Sequence, residues 1–514
     1  MTFKPTPEQQ AILDASLNSS TSLMVTAYAG CAKSTTLELI AHALPPAPAL
    51  GLAFNVKIKK ELEKRFPSNF QIKTFNGLGH AALAKALGKF PEVDEGKLGK
   101  LVTKYIKLTE AQDDGELWDN TRQIVTAAMN QGLVPSAFPW KGLVEDTPAA
   151  WAAIGEDILA VPYENYDLAR AILVESIKLG LDPAKPVISF DDQIYLSTLF
   201  GGQYPRYGLV LVDEAQDLSP LNHLQIKRCA SGRLIVVGDP KQAIYAFRGA
   251  DSTSMGKLRA LRKEWIDLPL ATTFRCPQVI VERQQNHAPG FTAWATAKIG
   301  QFLPWNSKEN PQPWTWARVE QELRAGQSCA FLCRNNAPLL SMAFKLLRQR
   351  ISCHMLGRDI GKGLISLSKK VLKDGQMPKA ECITLIQDWI DKEVQLAQAN
   401  DKAAKVAGIK DRGECLLAVI EAEGVECADD LRKALRDLFD RSTGQITLST
   451  GHRAKGMEWD LVVHLDPWRL PSKHARKAAD RGDMSQLQQE MNLKYVIETR
   501  AKETLIQATV EDFQ

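Results

Sequence analysis

Three groups of residues in this 514-residue chain have the types and spacing for chemistry. The first is Ala27-Tyr28-Ala29-Gly30-Cys31-Ala32-Lys33-Ser34-Thr35. Small residues ahead of a Lys-Ser pair let backbone N–H groups close around a phosphate where a helix begins. In such a loop Lys33 would reach the β and γ phosphates, and the Ser34 hydroxyl would ligate Mg²⁺. The usual pattern has glycine six residues and one residue before the lysine, where this chain has Ala27 and Ala32. Alone, the stretch fits a nucleotide loop and an ordinary strand-to-helix turn equally. The second group is Asp213-Glu214-Ala215-Gln216-Asp217, closing the apolar run Tyr207–Val212. Acids at the C-terminal end of a strand are what Mg²⁺ and a water-activating base require. Asp213 would hold the metal through water, and Glu214 would take the proton from the attacking water. The third is Gly238-Asp239-Pro240-Lys241-Gln242, after another apolar run, with Gln242 placed to sense a γ-phosphate. It leads into Tyr245, Phe247 and Arg248, aromatics beside a cation that suit stacking on unpaired bases or, more plainly, a core.

The elements that must position these groups are readable around them. Thr21–Thr26 is an apolar strand, and Thr36–Leu44 has helical spacing that stops at Pro45-Pro46. Thr6 and Pro7 open an earlier helix. Its Gln9 carries an amide that matches an adenine edge, the plainer reading being a solvated helix start. Ala49–Phe54 is a second strand, followed by a basic helix from Asn55 to Phe66. Phe54 and Lys57 lie just beyond the strand end, where open α/β sheets bind ligands; a nucleic-acid contact and a solvated face both fit them. Ile72–Asn76 reads as a short strand and turn. From Gly77 to Pro186 the pattern is helical and irregular, with Trp118, Trp140 and Trp151, as expected of an insert with its own small core. Ser189–Gln193 then returns the chain to the sheet.

Composition sets the bounds. The chain is 45% hydrophobic and 24% charged, with a net charge of +4, ordinary for a protein of two to four domains. A mildly basic balance permits a polyanion partner without demanding one. No apolar stretch is long enough to span a membrane, and the N-terminus begins no signal peptide. The nine scattered cysteines read as reduced thiols of a cytoplasmic protein.

Taken together, the motifs resemble the UvrD-like branch (UvrD, Rep and PcrA) of superfamily 1 DNA helicases. Asp213–Asp217 matches that branch's Asp-Glu-x-Gln-Asp motif, and Gly238–Gln242 through Phe247-Arg248-Gly249-Ala250 matches its third motif. Ala27 stands where the family also has alanine, so Ala32 and the conservative Ser34 are the departures. Leu270–Pro277 resembles the aromatic-Arg motif, which implies that Phe274 packs on adenine and Arg275 reaches the γ-phosphate. Thr447–Glu458 resembles the fifth motif, with His452 a DNA contact and Glu458 on the ribose. Asn492–Ala501 resembles the sixth, making Arg500 a second γ-phosphate arginine, and Gln9 falls where the family reads adenine. Ala29, Gly30, Cys31, Ala32, Lys33, Ser34 and Thr35 would line the nucleotide; Phe54, Lys57, Tyr245, Phe247, Arg248 and His452 would meet single-stranded DNA.

The resemblance implies an α/β fold of two RecA-like cores with parallel sheets, each carrying a mostly helical insert. The first core would take residues 1–77 and 186–267, interrupted by an insert at 78–185. The second would take 268–358 and 443–514, interrupted at 359–442. Trp305, Trp314 and Trp316 would belong to the second core's packing more than to base stacking. The implied activity is ATP hydrolysis, with Mg²⁺, coupled to 3′-to-5′ movement on single-stranded DNA and to unwinding at single-strand/duplex junctions, alongside replication or repair proteins. The rival is a nucleotide-gated DNA clamp or strand-displacing scaffold with a weakened loop, for which Ala32 is the support; action on RNA is a third reading. Two expectations are specific to this chain. Ala32 is tolerated if, entering the helix, it avoids positive φ. Cys31, in the loop beside Lys33, is either the most reactive thiol or a small shielded residue that fits a tight turn.

Overall fold

The computed structural model describes residues 5–108, 115–159, 163, 165–244, 254–304, 321, 325–349, 351–399, 403–422, 424–440 and 444–513. Tyr245, Phe247, Arg248, Trp305, Trp314 and Trp316 lie outside them. The chain forms two compact units, Met1–Ala271 and Thr272–Gln514, each built on a six-stranded parallel sheet. No helix among the described residues is long and apolar enough to cross a membrane.

In unit 1 the strands are β1 (Ser22–Ala27), β2 (Ala49–Ala53), β3 (Phe70–Thr74), a two-stranded pair β4 (Glu92–Val93) and β5 (Val187–Ile188), β6 (Tyr207–Val212), β7 (Ala230–Gly238) and β8 (Trp265–Leu270). The main sheet has the order β3-β2-β6-β7-β1-β8. Its central strands are buried on both faces, which is why they read as unbroken apolar runs. The order sets β6, β7 and β1 side by side. Three separate sequence motifs therefore leave the sheet from adjacent strand ends.

Several local expectations are corrected by side-chain caps. Asn76 does not lie in a turn after β3: helix Phe75–Leu87 begins at once, because the Thr74 hydroxyl accepts from the Gly77 N–H. Ser189–Gln193 does not rejoin the sheet. Ser189 and Asp192 form a reciprocal cap that starts helix Phe190–Leu199 before β6. Asp267, expected to close the first core, lies inside β8 opposite Met24, and the strand continues through Leu270. The helices between Lys97 and Gly180 pack around Val102, Ile124, Trp151, Ile172 and Ile177, a cluster that also takes in Tyr195 and Leu196.

Unit 2 contains β9 (Thr272–Thr273), β10 (Thr292–Ala293), β11 (Gln301–Leu303), β12 (Cys329–Cys333), β13 (Cys353–Met355), β14 (Ile446–Thr450), β15 (Trp459–Leu465) and β16 (Ala501–Ala508). The sheet order is β11-β16-β15-β12-β14-β13. Its helices between Arg358 and Asp440 share one continuous core with the sheet: Leu364, Ile386, Leu416 and Leu435 join Phe331, Leu448 and Val463.

A buried ion pair ties helix Lys97–Ile106 to the helix before β6. Lys97 Nζ donates to Asp192 Oδ2 and to the Ser176 carbonyl, each at 2.7 Å, and both charged side chains are at most 2% exposed. Burial pulls the Lys97 pKa down, against the attraction of Asp192. Asp192→Ala would leave an unpaired buried ammonium and should cost about 3–5 kcal/mol. Urea unfolding of unit 1 checks this, and the double change Lys97→Met/Asp192→Leu should return most of the loss.

Candidate functional site

The loop from Ala27 to Thr35 carries the chain from the end of β1 into helix Lys33–Ala43. Gly30 (φ 71°) and Ala32 (φ 56°, ψ 41°) are both left-handed, and no side chain caps the helix that follows. A helix start without a side-chain cap presents first-turn N–H groups and a positive dipole end to an anion. Ala32 thus does adopt the positive φ that it was expected to avoid. It holds the shape glycine normally supplies, at a conformational cost of about 1–2 kcal/mol.

Lys33 Nζ lies 3.7 Å from Glu214 Oε1. Burial works against its charge, but Glu214, Asp239 and Asp213 outweigh burial and raise its pKa. Asp213 is buried at the end of β6, where burial first and Glu214 second push its carboxyl up to about 7 against the pull of Lys33. Ser34 Oγ lies 3.5 Å from Asp213 Oδ2. Glu214 is itself left-handed (φ 51°), which turns the chain so that its own N–H donates to Asp213 Oδ1. One carboxylate and one hydroxyl form an all-oxygen pair suited to Mg²⁺, which keeps waters and phosphate oxygens as its other ligands. Among the described residues no three His, Cys, Asp or Glu side chains could hold a metal by themselves.

Two further residues join this group. Gln216 Nε2 donates to Glu214 Oε2 at 2.5 Å, while its Oε1 accepts from the Asp239 N–H at 2.9 Å. Asp239 Oδ2 accepts from Gln242 Nε2 at 2.6 Å, so Glu214, Gln216, Asp239 and Gln242 form one chain of hydrogen bonds. A Cβ on Gly238 would lie 2.8 Å from Gln216 Oε1, so the chain needs bare backbone there. Sequence reading assigned Gln216 and Asp239 no role. The signal was positional: Asp239 follows β7 as Asp213 follows the neighbouring β6.

Other predicted loop contacts are placed differently. Gln9 is buried and not solvated. Its Oε1 accepts from the Thr6 N–H and its Nε2 donates to Thr36 Oγ1, both at 3.1 Å, which pins the first helix to the loop's helix. Thr35 Oγ1 accepts from Arg65 Nη2, and Arg65 also binds Glu38. Cys31 is fully buried, its Sγ 3.7 Å from the Ala29 carbonyl, so it is the shielded residue of the two alternatives. Along the same rim of the sheet, Phe54 and Lys57 are exposed after β2. Phe190 was not singled out from sequence; it is 50% exposed, and its carbonyl accepts from Asn76 Nδ2 just beyond β3.

In unit 2 the aromatic-Arg, fifth and sixth motif segments converge. Arg275 Nε is paired with Glu458 Oε2 at 2.5 Å. Arg500 is 1% exposed: it donates to the carbonyls of Val496 (2.9 Å) and Met457 (3.1 Å) and to Thr499 Oγ1 (3.3 Å). These partners all belong to its own unit. Cys276 sits with both arginines; burial lifts its thiol pKa against their pull. Behind them, buried Glu498 accepts from Arg283 Nε (3.0 Å), Gln284 Nε2 (2.6 Å) and Gln507 Nε2 (3.1 Å). Although burial opposes it, the positive and donor groups around Glu498 bring its pKa down to about 2. Phe274 is 44% exposed and lies against Trp294, ring centroids 5.1 Å apart. His452 is half-buried in the turn after β14.

A lysine, a hydroxyl and two carboxylates at a helix start without a side-chain cap, reached from adjacent parallel strands, define a phosphate-loop α/β protein with RecA-like architecture. Two family models of UvrD-like helicases match segments of the chain. The family model described as the UvrD/REP helicase N-terminal domain matches residues 197–261, and that of the UvrD-like helicase C-terminal domain matches residues 384–512. F-box DNA helicase protein 1 of Schizosaccharomyces pombe is 25% identical over 98% of this chain and 57% of its own length. F-box DNA helicase 1 of Gallus gallus is 26% identical over 98% of this chain and 49% of its length. The chain thus spans about half the length of these relatives. A Rickettsia conorii protein named "Probable DNA helicase II homolog" is 22% identical over 97% of this chain and 91% of its own.

Two outcomes follow from the loop. Ala32→Gly should stabilise unit 1 by up to about 1 kcal/mol, the relief of left-handed strain exceeding glycine's entropic cost; chemical denaturation reads the sign. Brief alkylation followed by mass-spectrometric mapping should spare Cys31 and mark Cys427, the one cysteine that is not fully buried.

Proposed function

We propose that this chain is an ATP-dependent DNA helicase motor. It would couple ATP hydrolysis to movement on single-stranded DNA and to unwinding at single-strand/duplex junctions, in replication, repair or recombination. Polarity, 3′-to-5′, follows from the family resemblance alone. A cytoplasmic setting and replication or repair proteins as partners belong to the same reading. The observation that carries it is the meeting of Lys33, Ser34, Asp213, Glu214, Asp239 and Gln242 at the helix start.

The roles follow from placement. The first-turn amides and the Lys33 ammonium, kept charged by three carboxylates, hold phosphate oxygens. Mg²⁺, held by Ser34 and Asp213, supplies charge neutralisation on those oxygens when bound. Glu214 accepts the proton of the attacking water, and Gln216 fixes the direction in which its carboxylate faces. Gln242 connects to Glu214 through Asp239 and Gln216, so a phosphate sensed at one end reorients the base at the other. Arg275 and Arg500 are the γ-phosphate arginines, as the resemblance assigns them, with Phe274 on adenine and Glu458 on ribose. Exposed Phe54, Lys57 and Phe190 supply stacking and charge for the strand, joined by Tyr245, Phe247, Arg248 and His452.

The rival reading, a nucleotide-gated clamp, rests on Ala32. The left-handed geometry at that position keeps the loop in the shape that glycine would give, which favours a working site. Steady-state ATPase with and without single-stranded DNA separates the two: the motor turns over and is stimulated, while the clamp binds nucleotide without turnover. RNA as an alternative activator tests the third reading.

Glu214→Gln should keep nucleotide affinity and lose turnover; hydrolysis at the parent rate would remove Glu214 as the base. Arg275→Ala and Arg500→Ala should each lower kcat by about 10³-fold or more. Nucleotide-free DNA binding, measured on the same samples, should be unchanged. Because Arg500 is also buried, its melting temperature must be followed to separate loss of turnover from loss of fold.

A further inference from the structure

Unit 1 has a cationic cavity at the rim opposite its phosphate loop. The cavity, about 310 Å³, is lined by Gly202, Tyr204, Arg206, Lys227 and Arg228. Arg206 stands just before β6, and Lys227 and Arg228 end the helix that precedes β7. Asp213 and Asp239 follow the far ends of those same strands. The six residues of β6 therefore separate the two rims by about 20 Å.

Three cations converge here with no acidic residue in the lining, and none of them has an ion pair among the described residues. A helix C-terminus accounts for Lys227 and Arg228. It does not account for Arg206, which comes from another element, nor for the aromatic surface beside it. The Tyr204 hydroxyl is bonded to Ser197 Oγ (2.6 Å) and Gln225 Nε2 (3.2 Å), so the ring is fixed, with the Arg228 guanidinium 6.0 Å from its centroid. Trp140 is 44% exposed and lies over Gly201, where a Cβ would come within 3.0 Å of its ring. Exposed Lys141 stands next to it. Fixed aromatic faces among unpaired cations are the composition that follows a nucleic-acid backbone.

We propose that this rim is a second nucleic-acid contact, in which Arg206, Lys227 and Arg228 hold phosphate oxygens and Trp140 packs on a base or sugar. It is separate from the strand path proposed at the opposite rim, and it needs no nucleotide.

The test compares the full chain with Arg206→Glu/Lys227→Glu/Arg228→Glu and with Trp140→Ala. Fluorescence anisotropy is read with unpaired, blunt-duplex and junction oligonucleotides across a range of KCl. The triple variant should lose at least tenfold in affinity at low salt for the form that occupies the rim. The slope of log K against log salt should become shallower by about two for an unpaired strand, at roughly 0.7 per phosphate contact. Trp140→Ala should weaken binding with the slope unchanged, and DNA-free ATPase should match the parent in both. If the triple variant misfolds, the neutral Arg206→Gln/Lys227→Gln/Arg228→Gln version should give the same change in slope. Unchanged affinity and slope on all three oligonucleotides would overturn the proposal. So would a loss confined to poly-glutamate binding, which would make the occupant an acidic protein segment. A parent that hydrolyses ATP yet shows no DNA affinity sinks this site and the motor reading together; a parent that binds DNA as well as the triple variant sinks this site alone.

Discussion

Lys33 is the cation on which the unit 1 site depends. Asp213, Glu214 and Asp239 come from two neighbouring strand ends, Asp213 and Asp239 buried and Glu214 partly exposed. Carboxylates that close repel one another, and burial raises the cost of each charge. The ammonium, anchored at the first turn of a helix from a third adjacent strand, offsets that repulsion. This is why the strand order matters more than any single motif: only with β6, β7 and β1 as neighbours do the acids and the lysine meet.

The apolar strands and the residues at their ends were legible because a buried parallel strand has a plain signature and its chemistry starts where the signature stops. What was not legible depended on backbone sign and on local caps. Nothing in the letter sequence says that Ala32 is left-handed; the residue type argues against it. Thr6 was readable as a helix cap, but the reciprocal bond that Gln9 Oε1 accepts from the Thr6 N–H was not. Ser189 and Asp192 form the same device, which hid a helix behind a strand-like pattern and with it the exposed ring of Phe190.

Cysteine placement shows how far burial overrides local electrostatics. A thiol in a helix-start loop beside a lysine is a candidate nucleophile by sequence. Cys31 is instead fully buried in the loop, its Sγ 3.7 Å from the Ala29 carbonyl. Cys276 feels the charges of Arg275 and Arg500, and burial still lifts its pKa.

The buried carboxylate of Glu498 has a mechanical meaning. Arg283 and Gln284 belong to the helix that follows Arg275, and Glu498 itself lies two residues before Arg500. One anion therefore fastens both arginine-bearing segments to each other and, through Gln507, to β16. Segments fastened in this way share one set of hydrogen bonds. Free-energy effects measured separately at Arg275 and Arg500 would then fail to add, with a coupling term set by the buried carboxylate that joins their segments.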